Sequence, residues 1–199
     1  MRTAARRITR KDLRQPDSFV LLARRFVAFA KENRNALAAA AVVVVFVVGA
    51  LFGWELYKSR QNRLAAEEYG RAVDLYHLGK YKEALDALGR LEIYRSSYYS
   101  RLGLLYQANA QAAMQDTGRA AETLRQLLDR EKKDPMLRQS AYLALGYNQE
   151  QREQWGDAAQ SFTEAEKIPG PLQSDATLGK GRSYLQTGNL KEAAAAYKK

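Results

Sequence analysis

The chain has 199 residues and a formal charge of +10, with one histidine and no cysteine. The missing thiols exclude disulfides, thiolate metal sites and a cysteine nucleophile, and the lone His77 has no second metal ligand at helical spacing. The charge is localised: residues 1–35 hold ten Lys or Arg against Asp12, Asp17 and Glu32, a local +7, so only +3 remains for the other 164 residues and the basicity belongs to the N-terminal tail.

Met1 to Arg14 carries Arg2, Arg6, Arg7, Arg10, Lys11 and Arg14 with little apolar content. Such a stretch has no core to build and stays extended until it meets something anionic, for which the nearest candidate is anionic lipid at about 1 kcal/mol per basic residue. A ribosome or nucleic acid would use the same charge, but no nucleic acid is expected as a partner of the whole chain. After Pro16, Ser18 to Asn33 places Phe19, Leu22, Phe26, Phe29 and Ala30 at steps of three and four, with Arg24, Arg25 and Lys31 elsewhere around the helix. That pattern predicts an amphipathic helix, capped by Asp17 or Ser18, lying in the membrane interface.

Ala36 to Trp54 passes nineteen residues without a charged, amide or hydroxyl side chain. As a helix it is about 28 Å long, close to the ~30 Å hydrocarbon core, and helix is the single-segment solution that satisfies every backbone polar group in lipid. The expectation is a transmembrane helix over 36–54, preceded by a cytoplasmic tail over 1–35. The lysines and arginines of that tail put the N-terminus in the cytoplasm. Val48-Gly49-Ala50 has the look of a signal-peptidase site, but the charged lead is long and Leu51 to Trp54 continue the apolar run past it, so the anchor is read as uncleaved. Gly49 and Gly53 form a G-x-x-x-G, a flat stripe for close approach of another membrane helix. Trp54 and Tyr57 are placed as interface anchors, and 55–63 reads as a juxtamembrane linker.

From Leu64 the chain repeats. Ala72 to Leu88, Ala108 to Leu124, Gly146 to Phe162 and Gly181 to Tyr197 align without a gap at spacings of 36, 38 and 35. Each copy has a small residue, an alanine twelve later and a large apolar residue four beyond that: Ala72/Ala84/Leu88, Ala108/Ala120/Leu124, Gly146/Ala158/Phe162 and Gly181/Ala193/Tyr197. Gly79 and Gly188 close the first helix of their copies, and Tyr81, Trp155 and Leu190 open the second. In the middle copies Gln115 and Glu153 stand for the glycine, so these turns are expected to be less regular. Asp134-Pro135 and Pro169-Gly170-Pro171 mark breaks between pairs. The chain stops in the second helix of the fourth copy without a polar capping helix, which points to a continuation beyond Lys199.

These copies resemble the tetratricopeptide repeat, whose helix pair recurs at about 34 residues with small residues at the helix crossing and a bulky one beside them. The fold class is therefore all-α: one N-terminal transmembrane helix, then a tetratricopeptide-type solenoid over 64–199. The resemblance implies that the first helix of each pair lines a concave groove for an extended peptide or partner helix. By that resemblance the groove would be lined by Tyr69, Val73, Tyr76, Leu105, Asn109, Leu143, Tyr147, Leu178 and Arg182, an apolar and tyrosine-rich set. Asn109 and Arg182 are its only polar groups suited to a carboxylate clamp, so such a clamp is not expected.

The sequence carries no enzyme motif. Gly179-Lys180-Gly181 lacks the upstream glycine, the Lys-Ser/Thr step and the preceding strand of a phosphate loop. The acidic residues scatter over helix surfaces, and neither catalysis nor a cofactor or metal is expected.

A second resemblance appears where span meets domain. Gly49 to Trp54, then Tyr57, Ser59 and Gln61, preceded by Phe26, Phe29 and Asn35-Ala36-Leu37, is similar to the ancillary subunit of the bacterial Sec translocon, a single-span inner-membrane family with a periplasmic tetratricopeptide domain. The resemblance covers about forty residues plus the architecture, and the chain departs from it in its long basic N-terminus and more regular repeats. It implies a chaperone-like module that meets secretory clients or envelope proteins beside translocon subunits. A structural scaffold of an envelope complex, in division or outer-membrane assembly, is the alternative.

Overall fold

The structure, a computed structural model, describes residues 18–198; the basic stretch 1–14, with the lipid contact expected of it, lies outside them. Among the described residues all regular structure is helical: α1 (Ser18–Glu32), α2 (Arg34–His77), α3 (Tyr81–Arg90), α4 (Tyr98–Ala113), α5 (Thr117–Arg130), α6 (Pro135–Gln151), α7 (Trp155–Lys167), α8 (Gln173–Gln186) and α9 (Leu190–Tyr197), with a short 3-10 turn at Leu91–Tyr94.

The amphipathic segment is α1. Its Phe26 and Phe29 are exposed. Asn33 separates α1 from α2, yet the backbone ladder runs through the turn: Asn33 N donates to Phe29 O at 3.0 Å and Leu37 N to Asn33 O at 2.9 Å. α2 contains the whole of 36–54, and none of its most apolar window is buried; Phe46 reaches 77% exposure. A core helix would bury these side chains, whereas this one is long and apolar enough to cross a membrane. Residues 55–63 are helical as well, inside α2. The chain divides at Glu55/Leu56 into two units.

The second unit is an array of helix pairs: the C-terminal part of α2 with α3, α4 with α5, α6 with α7, α8 with α9. The repeat positions explain the pairing, because helix axes approach closely only where side chains are small. Ala72, Ala84, Ala108, Ala120, Ala158 and Ala193 are all buried. Phe162 is fully buried and fits only because glycines face it: a Cβ on Gly146 would lie 2.6 Å from its ring, and one on Gly179 of the next pair 2.7 Å. Leu88 and Leu124 fill the same place in their copies, while Tyr197 is half exposed.

The four intra-pair turns are alike, which corrects the expectation of irregular middle copies. Gly79, Gln115, Glu153 and Gly188 all have positive φ, at 71°, 65°, 58° and 77°. Each turn closes with the same two bonds; in the second copy Gln115 N donates to Ala112 O and Asp116 N to Gln111 O, both at 2.9 Å, the hydrogen-bond pattern of a Schellman motif. Buried polar pairs brace the two turns that lack glycine. Thr123 Oγ1 donates to Gln111 Oε1 at 2.9 Å, and the Ser161 hydroxyl lies 2.6 Å from the Gln149 amide.

Between pairs, Asp134 caps α6 by accepting from Leu137 N at 3.1 Å, with Pro135 in the first turn, so the Asp-Pro break is a helix start. Gln139, fully buried, donates to Ile168 O at 2.8 Å and ties down the C-terminal end of α7. A Cβ at Gly170 would lie 2.3 Å from Gln139 Oε1, so a larger residue there requires the Gln139 side chain to shift.

Candidate functional site

The first helices of successive pairs touch one another, α4 with α6 and α6 with α8, and form the face on which the groove residues were placed by register. At its N-terminal end this face is aromatic. Tyr69 and Tyr76 are seven residues apart, as are Tyr99 and Tyr106, so each pair stands on one side of its helix two turns apart. The rings interlock: Tyr106 is edge-on to Tyr69 at 5.6 Å and to Tyr76 at 5.4 Å, and Tyr76 also meets Tyr81 at 5.5 Å and His77 at 5.6 Å. Edge-to-face pairs of this kind hold the rings in place. His77 thus belongs to the aromatic cluster, and among the described residues no group of three or more His, Cys, Asp or Glu could hold a metal ion.

Three of the residues expected in the groove are brought to one place. Tyr76, Asn109 and Tyr147 line a cavity of about 240 Å³ with Ala108, Ala112, Leu124, Ala144, Asn148 and Gln151. The others are distributed differently. Tyr69, Val73 and Leu105 are half-buried, Tyr69 and Leu105 packed against core clusters. Leu143 is only 8% exposed and lies in the core with Phe162, Ala158 and Ala176; its helical register places it on the correct side of α6, but α7 and α8 cover it. Leu178 is half exposed and lines a separate depression of about 330 Å³ with Thr177, Ala196 and Tyr197. Arg182 is not a bare cation: it grips Glu150 with two hydrogen bonds, Nε to Oε1 at 3.0 Å and Nη2 to Oε2 at 2.7 Å, and its guanidinium lies 5.7 Å above the Tyr147 ring.

The electrostatics keep the face neutral. Burial pushes the Tyr76 phenol upward, reinforced by Tyr81 and Tyr106. Burial likewise raises Tyr147, with Asp175 adding to the effect against Arg182. Both hydroxyls therefore stay protonated at neutral pH and offer a donor as well as an acceptor. Such a surface makes apolar and hydrogen-bonding contacts.

Tyr106 and Asn148 belong to this site and were not foreseen from sequence. For Tyr106 the signal was present in the seven-residue spacing from Tyr99. For Asn148 there was none, because an asparagine in a helix is ordinarily a surface residue. Gly49 and Gly53, in the first unit, have nothing within 4 Å of the place a Cβ would occupy.

Residues 28–199 match the family of the tetratricopeptide repeat-like domain. The match begins within α1 and takes in all of α2 as well as the helix pairs. No curated protein matches the chain.

Proposed function

The chain belongs to the tetratricopeptide repeat-like domain family, and from that premise we propose that it is a membrane-tethered protein-binding module of the bacterial inner membrane, chaperone-like, that meets secretory clients or envelope proteins near the Sec translocon. The N-terminus is cytoplasmic, α2 spans the bilayer and the repeat domain faces the periplasm. One observation carries the binding reading: the cavity that gathers Tyr76, Asn109 and Tyr147 on the first-helix face, beside rings fixed edge-on to one another. Rigid tyrosines supply contact area at low entropic cost and tolerate varied sequences, as a surface for many clients needs. In the membrane half, the Gly49/Gly53 stripe is the proposed contact with translocon subunits.

A photo-crosslinker placed at Tyr76 or Tyr147 in living cells tests this. Many weak adducts are expected for a chaperone-like module, and one dominant adduct would identify the scaffold of a single envelope complex instead. Adducts confined to Lys82 or Arg125, on second helices, would remove the binding face from the first helices altogether.

A further inference from the structure

Asn148 is 3% exposed, lines the cavity beside Tyr147, and neither its Oδ1 nor its Nδ2 has a hydrogen-bond partner. The repeat register shows what is missing there. One pair further along, the positions equivalent to Ala112, Tyr147 and Asn148 are Glu150, Arg182 and Ser183, offset by 38 for the first and 35 for the other two. In that junction Glu150 takes two bonds from Arg182, and the buried Ser183 hydroxyl lies 2.9 Å from Gly179 O and 3.2 Å from Glu150 Oε1, so the buried polar group has partners within the chain. At the junction of the second and third copies Ala112 stands in place of Glu150. Its methyl group cannot reach Asn148, and the space a longer side chain would fill is the cavity of about 240 Å³.

A buried side-chain amide has an acceptor oxygen at one end and an NH2 group with two N–H donors at the other, and at Asn148 neither end has a partner. A carboxylate guest would accept from Nδ2 and leave Oδ1 unpaired. The N–H and C=O of a single residue in an extended segment point to the same edge of the strand and satisfy both at once, as in one hydrogen-bonded pair of an antiparallel ladder. Ala108, Ala112, Leu124 and Ala144 supply an apolar wall for that residue's side chain.

We propose that this junction cavity is a main-chain reading site: Asn148 pairs with the N–H and C=O of one residue of an extended partner segment, whose apolar side chain enters the cavity. The site rests on the reading of the first-helix face as protein-binding and gives it a mechanism, affinity for any exposed chain with specificity only for an apolar side chain.

The test uses the full chain in detergent micelles, with the Asn148 side-chain amide observed by ¹H–¹⁵N NMR. The probes are N-acetyl-leucine N-methylamide and its ester analogue, in which oxygen replaces the leucine N–H. The amide probe is expected to shift the Asn148 signal saturably and the ester to bind about tenfold more weakly, the effect of one unpaired buried acceptor. Asn148→Leu should abolish the difference between the probes. Ala112→Glu, which sets the side chain of Glu150 at the equivalent position without the arginine that Glu150 has, should fill the cavity and lose the amide probe. Equal affinity of the two probes, or unimpaired binding by Ala112→Glu, would overturn the site. Shifts around Tyr76 and Tyr147 with Asn148 unmoved would overturn it too, yet leave the protein-binding face standing. A chain that takes neither probe while crosslinks at Tyr76 persist would do the same.

Discussion

Four turns in the repeat array need a left-handed residue, and glycine serves at only two of them. Gln115 and Glu153 hold φ of 65° and 58°, where a Cβ crowds the following carbonyl and costs about 1–2 kcal/mol. Gln115→Gly and Glu153→Gly should each raise stability by about 0.5–1 kcal/mol once the greater freedom of glycine in the unfolded chain is subtracted, read as a higher midpoint in urea. Gly188→Ala should lower it by about 1 kcal/mol. These turns mark a limit of what was legible. The copies aligned without a gap, so the place of each turn was fixed by register, but residue type argued against a regular turn at Gln115 and Glu153. What overrides residue type is tertiary: the Gln111–Thr123 and Gln149–Ser161 pairs bridge the helices on either side, and contacts twelve residues apart do not register in local propensity. The site was less legible than the fold. The repeat resemblance chose the side of α6 that carries Leu143 and Tyr147, but depth depends on which helices cover that side. The Glu150 partner of Arg182 lies 32 residues away, beyond any local pattern.

At the scale of helices, the pairs are joined by contacts of two kinds. Apolar joints depend on shape: Phe162 fills the space between Gly146 and Gly179, and Ala158 is fully buried in the same cluster. Ala158→Leu should overpack this crossing and cost about 1–3 kcal/mol, and Phe162→Ala should cost about 3–5 kcal/mol by opening a cavity across two pairs; thermal melts of the full chain measure both. Polar joints fix the connections. Glu131, only 3% exposed after α5, accepts from Arg101 Nε at 2.6 Å and from the backbone amides of Lys133 and Asp134 at 2.7 and 2.9 Å. Burial alone would raise its carboxyl, but the amides of Asp134 and Lys133 and then Arg101 outweigh it and hold the group below the usual carboxylate range. A group lowered in the folded state adds stability that is fully present above its unfolded pKa of about 4.3 and is lost as pH falls through the folded value. Stability should therefore drop below about pH 4.3. Glu131→Gln should make that acid limb shallower and cost about 1–3 kcal/mol at neutral pH, seen by repeating the urea titration at each pH.

At the scale of the whole chain, two features bear on topology. Ten Lys or Arg precede the apolar stretch against three acidic residues, and α2 offers lipid a window with no buried side chain. In the twenty residues on either side of 36–54 the basic residues balance, Arg24, Arg25, Lys31 and Arg34 against Lys58, Arg60, Arg63 and Arg71. In the proposed topology, orientation then turns on the more distant residues 1–14, whose six basic side chains would favour the cytoplasmic side by the positive-inside rule. Protease added to spheroplasts should degrade the repeat domain and leave a protected N-terminal fragment that includes 36–54. Replacing the six basic residues of the tail by glutamine should produce a fraction of molecules in the opposite orientation, since the remaining flanks no longer differ. A repeat domain protected until the membrane is lysed would reverse the topology. A mature N-terminus near Leu51 would replace the anchor with a cleaved signal and remove Gly49 from any role in the mature protein.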